Sequence, residues 1–196
     1  MPKNRLEAFS DGIFAFAATL LILNLAVTPG KPLGGELVGI WTSYIAYAVS
    51  FVTIGIIWVN HHTLMHQIGR VDRTFLMLSV LFLMLIAFIP FPTRILALYI
   101  RTGDALPAAL AYGITLTVTA TLINAVWWYA ATGRRLLRHD ADEAVVLGIG
   151  RSYIIGPVIY LGATLVALIN PLASAGLYLA IAVFYVLESS IFGRRS

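Results

Sequence analysis

Apolar residues run along this chain in long blocks, separated by short polar clusters. A helix adds about 1.5 Å per residue and the hydrocarbon core of a bilayer is about 30 Å thick, so roughly 20 apolar residues make one crossing. Six blocks reach that length and predict transmembrane helices over 6–28, 37–63, 73–99, 106–132, 150–169 and 172–192. The breaks between them use residues that end helices. Pro29, Gly30 and Pro32 follow the first, Arg70 to Arg73 the second, Thr102-Gly103-Asp104 the third, and Asn170-Pro171 separates the last two. Pro90 and Pro92 in the third helix and Gly156-Pro157 in the fifth predict bends, which a buried membrane helix tolerates when neighbours satisfy the freed backbone groups. The fold class expected is therefore an all-α membrane protein, organised as one domain over 1–196. No internal repeat is evident.

Composition agrees: 60% of the 196 residues are hydrophobic and 11% charged, too few charges to wet the surface of a soluble domain. There is no cysteine, which excludes disulfides and thiolate chemistry. The 13 Lys and Arg outnumber the 9 Asp and Glu, but the excess lies in loops and does not point to nucleic acid. With the N-terminus inside, one face holds Lys3, Arg5, Arg70, Arg73, Arg134, Arg135, Arg138, Arg151, Arg194 and Arg195, and the other only Lys31, Arg94 and Arg101. This asymmetry predicts a multi-pass protein of the cell membrane with both termini cytoplasmic. The segment 133–150 reads as a charged cytoplasmic loop.

The first helix carries the most informative polar residues. At about 100° per residue, Arg5, Phe9, Gly12, Phe16, Thr19, Leu20, Leu23 and Val27 fall within about 40 to 60° of one line, while Ser10, Asp11 and Asn24 point elsewhere. The result is a mostly apolar stripe with a single hydroxyl, beside polar groups aimed at other helices. An unpaired Asp in a membrane helix costs several kcal/mol, so Asp11 requires a partner: Arg5 of another copy, a histidine of the second span, or backbone donors. The competing reading makes Glu7, Ser10 and Asp11 simple helix caps.

Near the end of the second span, Trp58, His61, His62 and Met65 share a face. The spacing of His62 and His66 suits two ligands on one metal, but there is no HExxH arrangement and no third ligand, so no metal site is expected. A Trp-His pair docked on polar groups of the first helix is the better account. Asn124, Trp127 and Trp128 read as packing and interfacial residues, and Glu188 as a group near water or the terminal arginines.

Arg5-x-x-x-Phe9-Ser10-Asp11 resembles the RxxxFSD signature of the endolysosomal and bacterial potassium channels of the transmembrane protein 175 type, and Trp58 with His61 and His62 resembles that family's second-helix motif. The resemblance implies six transmembrane helices per subunit and a homotetramer in which the first helix lines a central pore for potassium. It places constricting layers at Phe16, Leu20 and Leu23 and the hydroxyl associated with potassium preference at Thr19. Arg5, Phe9, Ser10, Asp11, Trp58, His61 and His62 become a structural motif holding the cytoplasmic end of the pore helix. One departure stands out: many relatives carry Ile where this chain has Phe16, and the larger ring either tightens that layer or shifts the narrowest point.

A hydrophobic collar of this kind gates by dewetting. The expected function is thus passive potassium conduction, with no cofactor and no enzymatic chemistry. The short single-repeat length is that of a prokaryotic member. A proton-coupled secondary transporter, with Asp11 and the second-helix histidines as a relay, is the alternative, although the inverted repeats common in carriers are not evident.

Overall fold

The computed structural model describes the backbone of residues 3–192 and the side chains of residues 3–187. Within them the chain is helical nearly throughout: α1 (Lys3–Leu20), α2 (Leu33–Gly39), α3 (Trp41–Gln67), α4 (Arg73–Phe88), α5 (Pro90–Tyr99), α6 (Ala105–Ala131), α7 (Glu143–Val166) and α8 (Pro171–Phe192). A tighter 3-10 turn, Leu21–Asn24, prolongs α1. Five segments are long and apolar enough to cross a membrane: Lys3–Asn24, Trp41–Gln67, Arg73–Tyr99, Ala105–Arg134 and Glu143–Val166. They correspond to the first five expected spans. At the sixth, α8 begins at Pro171 as expected and runs to Phe192, with its side chains described as far as Leu187. The Glu188 side chain, Arg194 and Arg195 lie outside the described residues.

Several boundaries differ from those expected, and the first span ends at Asn24 instead of 28. α7 starts at Glu143, seven residues before the expected 150, because Asp142 caps it by accepting the Ala144 N–H at 2.7 Å. The charged loop expected over 133–150 is correspondingly shorter. The second long helix starts at Trp41 instead of 37, after the separate short helix α2, and runs on to Gln67.

α6 lies at the centre and packs on α4, α5, α7 and α8, while α1 lies against α3 and α4. Helices in lipid approach closely where side chains are small and are joined by buried hydroxyls. Both devices occur around α6. The Tyr112 hydroxyl meets Ser50 Oγ at 3.0 Å, and Ser50 Oγ meets Thr93 Oγ1 at 2.8 Å, knitting α6 to α3 and α5. Next to it, across the contact of the Tyr112 and Tyr178 rings, Thr164 Oγ1 lies 3.0 Å from the Tyr178 hydroxyl and 3.3 Å from Thr117 Oγ1, joining α6, α7 and α8. Gly113 faces that junction, and a Cβ there would collide with the Tyr178 hydroxyl and with Thr164.

The break expected at Pro90 is present, and α7 runs unbroken through Pro157. α4 breaks at Ile89 and resumes as α5 at Pro90, and Asn24 Nδ2 donates to the Pro90 carbonyl at 3.3 Å. In α7, which continues through Pro157, the missing N–H would have served the Tyr153 carbonyl four residues back. Asn124 Nδ2 of α6 donates to that carbonyl instead.

The loops after α3 and α6 are tied together. Ile68 and Leu137 form an antiparallel bridge, Gly69 N–H donates to Leu136 O at 2.8 Å, and Arg138 N–H donates to Gln67 O at 2.9 Å. A Cβ on Gly69 would stand only 3.0 Å from Arg138 Cα. Nearby, Asp72 caps α4 through the Phe75 N–H at 2.8 Å and accepts from the Tyr129 hydroxyl at 2.7 Å. The Phe75 bond, followed by that of Tyr129, holds the Asp72 carboxyl below its ordinary pKa.

Candidate pore-facing site on the first helix

α1 has two faces with opposite fates. Leu6, Ser10, Phe14, Ala17 and Leu21 recur at helical spacing and are buried against α3 and α4. On the other side, Phe9 is 51% exposed, Phe16 58% and Leu23 69%. Gly12 and Thr19 are exposed as well, and Leu20 is half-buried at the edge. The stripe expected from the sequence is thus largely unpartnered within one subunit. Thr19 Oγ1 donates to the Phe16 carbonyl at 2.9 Å. Its proton is committed to backbone, so the lone pairs of the oxygen are what it can offer a cation.

The polar motif is structural in its contacts. Asp11 Oδ1 accepts from Trp58 Nε1 of α3 at 2.8 Å, which is none of the three partners named for Asp11 but is the docking of the second-span Trp on polar groups of the first helix. Indole is a donor-only group and matches an ionised carboxylate well. Ser10 is fully buried and its hydroxyl donates back to the Leu6 carbonyl at 2.8 Å. Glu7 pairs with Lys3 at 3.4 Å. These side chains do not form the helix cap considered as the competing reading. Arg5 is exposed, and among the described residues no carboxylate lies within ion-pair distance of it.

The Trp58, His61, His62 and Met65 face proves to be a boundary between interior and surface. His61 and Met65 are buried, while Trp58 and His62 stay exposed with ring centroids 6.0 Å apart. His61 packs between Phe14 of α1 at 5.5 Å and Phe82 of α4 at 5.6 Å, nearly parallel to the latter. Phe14 and Phe82 are the members of this cluster that the sequence pattern did not single out. His62 and His66 are both exposed, and among the described residues no group of three or more His, Cys, Asp or Glu side chains could hold a metal. Beside this clamp, a groove of about 420 Å³ runs between α1 and α3, lined by Asp11, Phe14, Ala15, Ala18, Phe51 and Trp58 among others.

Trp127 and Trp128 agree with the reading as packing and surface residues, and Asn124 goes beyond it. Trp127 is buried in packing, Trp128 is exposed, and Asn124 joins two helices.

The family model for the endosomal/lysosomal potassium channel TMEM175 matches residues 5–90, which contain α1 and both motifs. A potassium channel of Chamaesiphon minutus is 39% identical over 191 residues, covering 95% of this chain and 94% of the relative. A potassium channel of Streptomyces collinus is 43% identical over 148 residues, 72% of each chain. Among solved structures, a lysosomal potassium-selective channel TMEM175 homolog from Chamaesiphon minutus superposes with a TM-score of 0.87 at 36% identity, over 95% of this chain and 97% of that one. With five membrane-length helices and near full-length relatives, this is a membrane protein and not an enzyme: the chain belongs to the TMEM175 family of ion channels.

Proposed function

We propose that four copies of this chain assemble in the cell membrane around a central axis and conduct potassium passively along α1. Each subunit crosses six times, so both termini lie on one side, the cytoplasm by the distribution of Lys and Arg. Potassium is the permeant ion and no cofactor takes part. The observation that carries this reading is the division of α1. One face is locked into the subunit, and the other presents Phe9, Phe16 and Leu23 more than half exposed, with the Thr19 oxygen between them. The relatives named potassium channels supply the ion.

In this assembly Phe16, Leu20 and Leu23 form apolar layers that exclude water when narrow. Leu20, at the edge of the stripe, adds less than the other two. Four Thr19 oxygens replace part of the hydration shell of a passing cation. The groove between α1 and α3 seats the neighbouring copy and keeps the clamp of Asp11 and Trp58 at the subunit junction. That clamp also argues against the transporter. Asp11 is engaged by an indole N–H and His61 is packed between two phenyl rings, an arrangement suited to holding a helix in place.

Reversal potentials of reconstituted protein under opposed potassium and sodium gradients test the reading. Thr19→Ala is expected to lower the potassium preference about fivefold, the equivalent of a net ~1 kcal/mol for loss of the four-oxygen layer. Asn24→Ala is expected to leave the ratio unchanged, because Asn24 turns away to the Pro90 carbonyl. Equal effects of the two would remove α1 from the assigned lining. Strict dependence of flux on a proton gradient would replace the channel with the carrier.

A further inference from the structure

Among the described residues, a cluster of basic side chains lies away from the α1 stripe, where the chain leaves α3 and α6. Arg70, Arg134, Arg135, Arg138 and His139 line a cleft of about 590 Å³, with Asp140 as its acidic wall. Of the four arginines, only Arg138 is held in an ion pair with a described residue, while Asp72 acts on Arg135 from beyond ion-pair distance. Asp140 takes both Nε and Nη2 of Arg138, at 3.0 and 2.6 Å. Arg70 Nε donates to the Arg135 carbonyl at 2.8 Å and Arg134 Nη2 to the Ala141 carbonyl at 2.9 Å, bonds that aim these side chains without cancelling their charge. The Arg135 guanidinium lies 4.8 Å above the Tyr129 ring, and the nearby Asp72 is already held by Phe75 and Tyr129. Among the described residues, no carboxylate forms an ion pair with Arg70, Arg134 or Arg135.

The cleft is also built. Its two loops are fastened by the bridge between Ile68 and Leu137 and by the backbone bonds around Gly69. Arg134 adopts φ +53°, the single positive φ of a non-glycine residue among the described residues. An L-residue in that region costs roughly 1–2 kcal/mol, a strain placed where the arginines converge. Like charges gathered this closely repel unless an anion lies between them. Planar guanidinium forks match phosphate oxygens, and basic pockets at the ends of membrane helices are suited to phospholipid headgroups. The cleft lies at the ends of two membrane-length helices, and the exposed Trp128, near the end of α6, suits headgroup depth.

We propose that the cleft framed by Arg70, Arg134, Arg135 and Arg138 binds a phosphate group, carried by an anionic phospholipid of the surrounding bilayer. Thermal unfolding of the full chain in detergent tests this without reference to ion conduction, so its failure and that of the channel reading are separable. Added phosphatidylglycerol is expected to raise the Tm by several degrees, and phosphatidylcholine, whose headgroup has no net charge, to leave it in place. The R134Q/R135Q variant is expected to lose the rise, whereas R134K/R135K, which keeps the charge but not the fork, retains part of it. Should the double variant not fold, R134Q alone, which leaves Arg135 on Tyr129, is expected to show a reduced rise. Equal shifts in the wild type and the Gln variants, or equal shifts with the two lipids, would overturn the site. A rise with inorganic phosphate matching that with phosphatidylglycerol would overturn the lipid as the source.

Discussion

Replacing Asn124 by leucine is expected to destabilise the protein by about 2 kcal/mol, far more than the loss of an ordinary surface hydrogen bond. Pro157 has no N–H, so the carbonyl of Tyr153 has no helical donor, and Asn124 of the neighbouring α6 supplies one across the interface. Leucine fills a similar volume but donates nothing, leaving a carbonyl stranded in an apolar setting. The Pro157→Ala background isolates this cause. Alanine restores the N–H four residues after Tyr153, the helix closes its own bond, and Asn124→Leu becomes nearly neutral there. Thermal unfolding of the four proteins of this cycle measures the coupling. The same loss in both backgrounds would mean that the asparagine acts through some other contact.

Removing the donor of the α1 clamp is the second large effect expected. Trp58→Phe keeps an aromatic ring on α3 but deprives Asp11 of its N–H partner, and an ionised carboxylate that loses such a bond costs about 1.5–3 kcal/mol. The low end applies here because both residues are exposed and water replaces part of the lost bond. Asp11→Asn keeps an oxygen that can accept from the indole and removes the charge, so its effect is milder. Combined with Trp58→Phe it recovers part of the loss, since no anion is left unpartnered. The yield of assembled protein on size-exclusion chromatography reads all three variants. If Asp11→Asn proves as damaging as Trp58→Phe, the charge itself is required, and the relay comes back into consideration.

What the sequence reveals follows from the range of the interactions involved. The helix expected over 106–132 appears at Ala105–Ala131 because its limits are marked locally, by Gly103-Asp104 before it and Gly133 after it. The early start of α7 was hidden because Asp142 and Glu143 sit in a run of charges where a capping side chain looks like any other acid. On α1 the separation of stripe and buried face needs only the helical period, so it was legible from residue numbers. The docking of the Trp58 and His61 face on the polar groups of α1 was legible too, but the individual pair of Trp58 and Asp11 was not, because the periodicity of α3 alone does not say which edge of its polar face meets α1. Asn124 was missed in the same way. Pro157 announces an orphaned carbonyl, but only the packing of α6 on α7 says which side chain answers it.

The bond from Asn24 to the Pro90 carbonyl gives the α4–α5 elbow a mechanical meaning. In a pore lined by α1, a twist of that helix large enough to swing the Phe16 ring off the axis must either break this tether or drag the elbow along. In the proposed pore, the stiffness of the joint at Ile89 then helps to set how readily the collar widens.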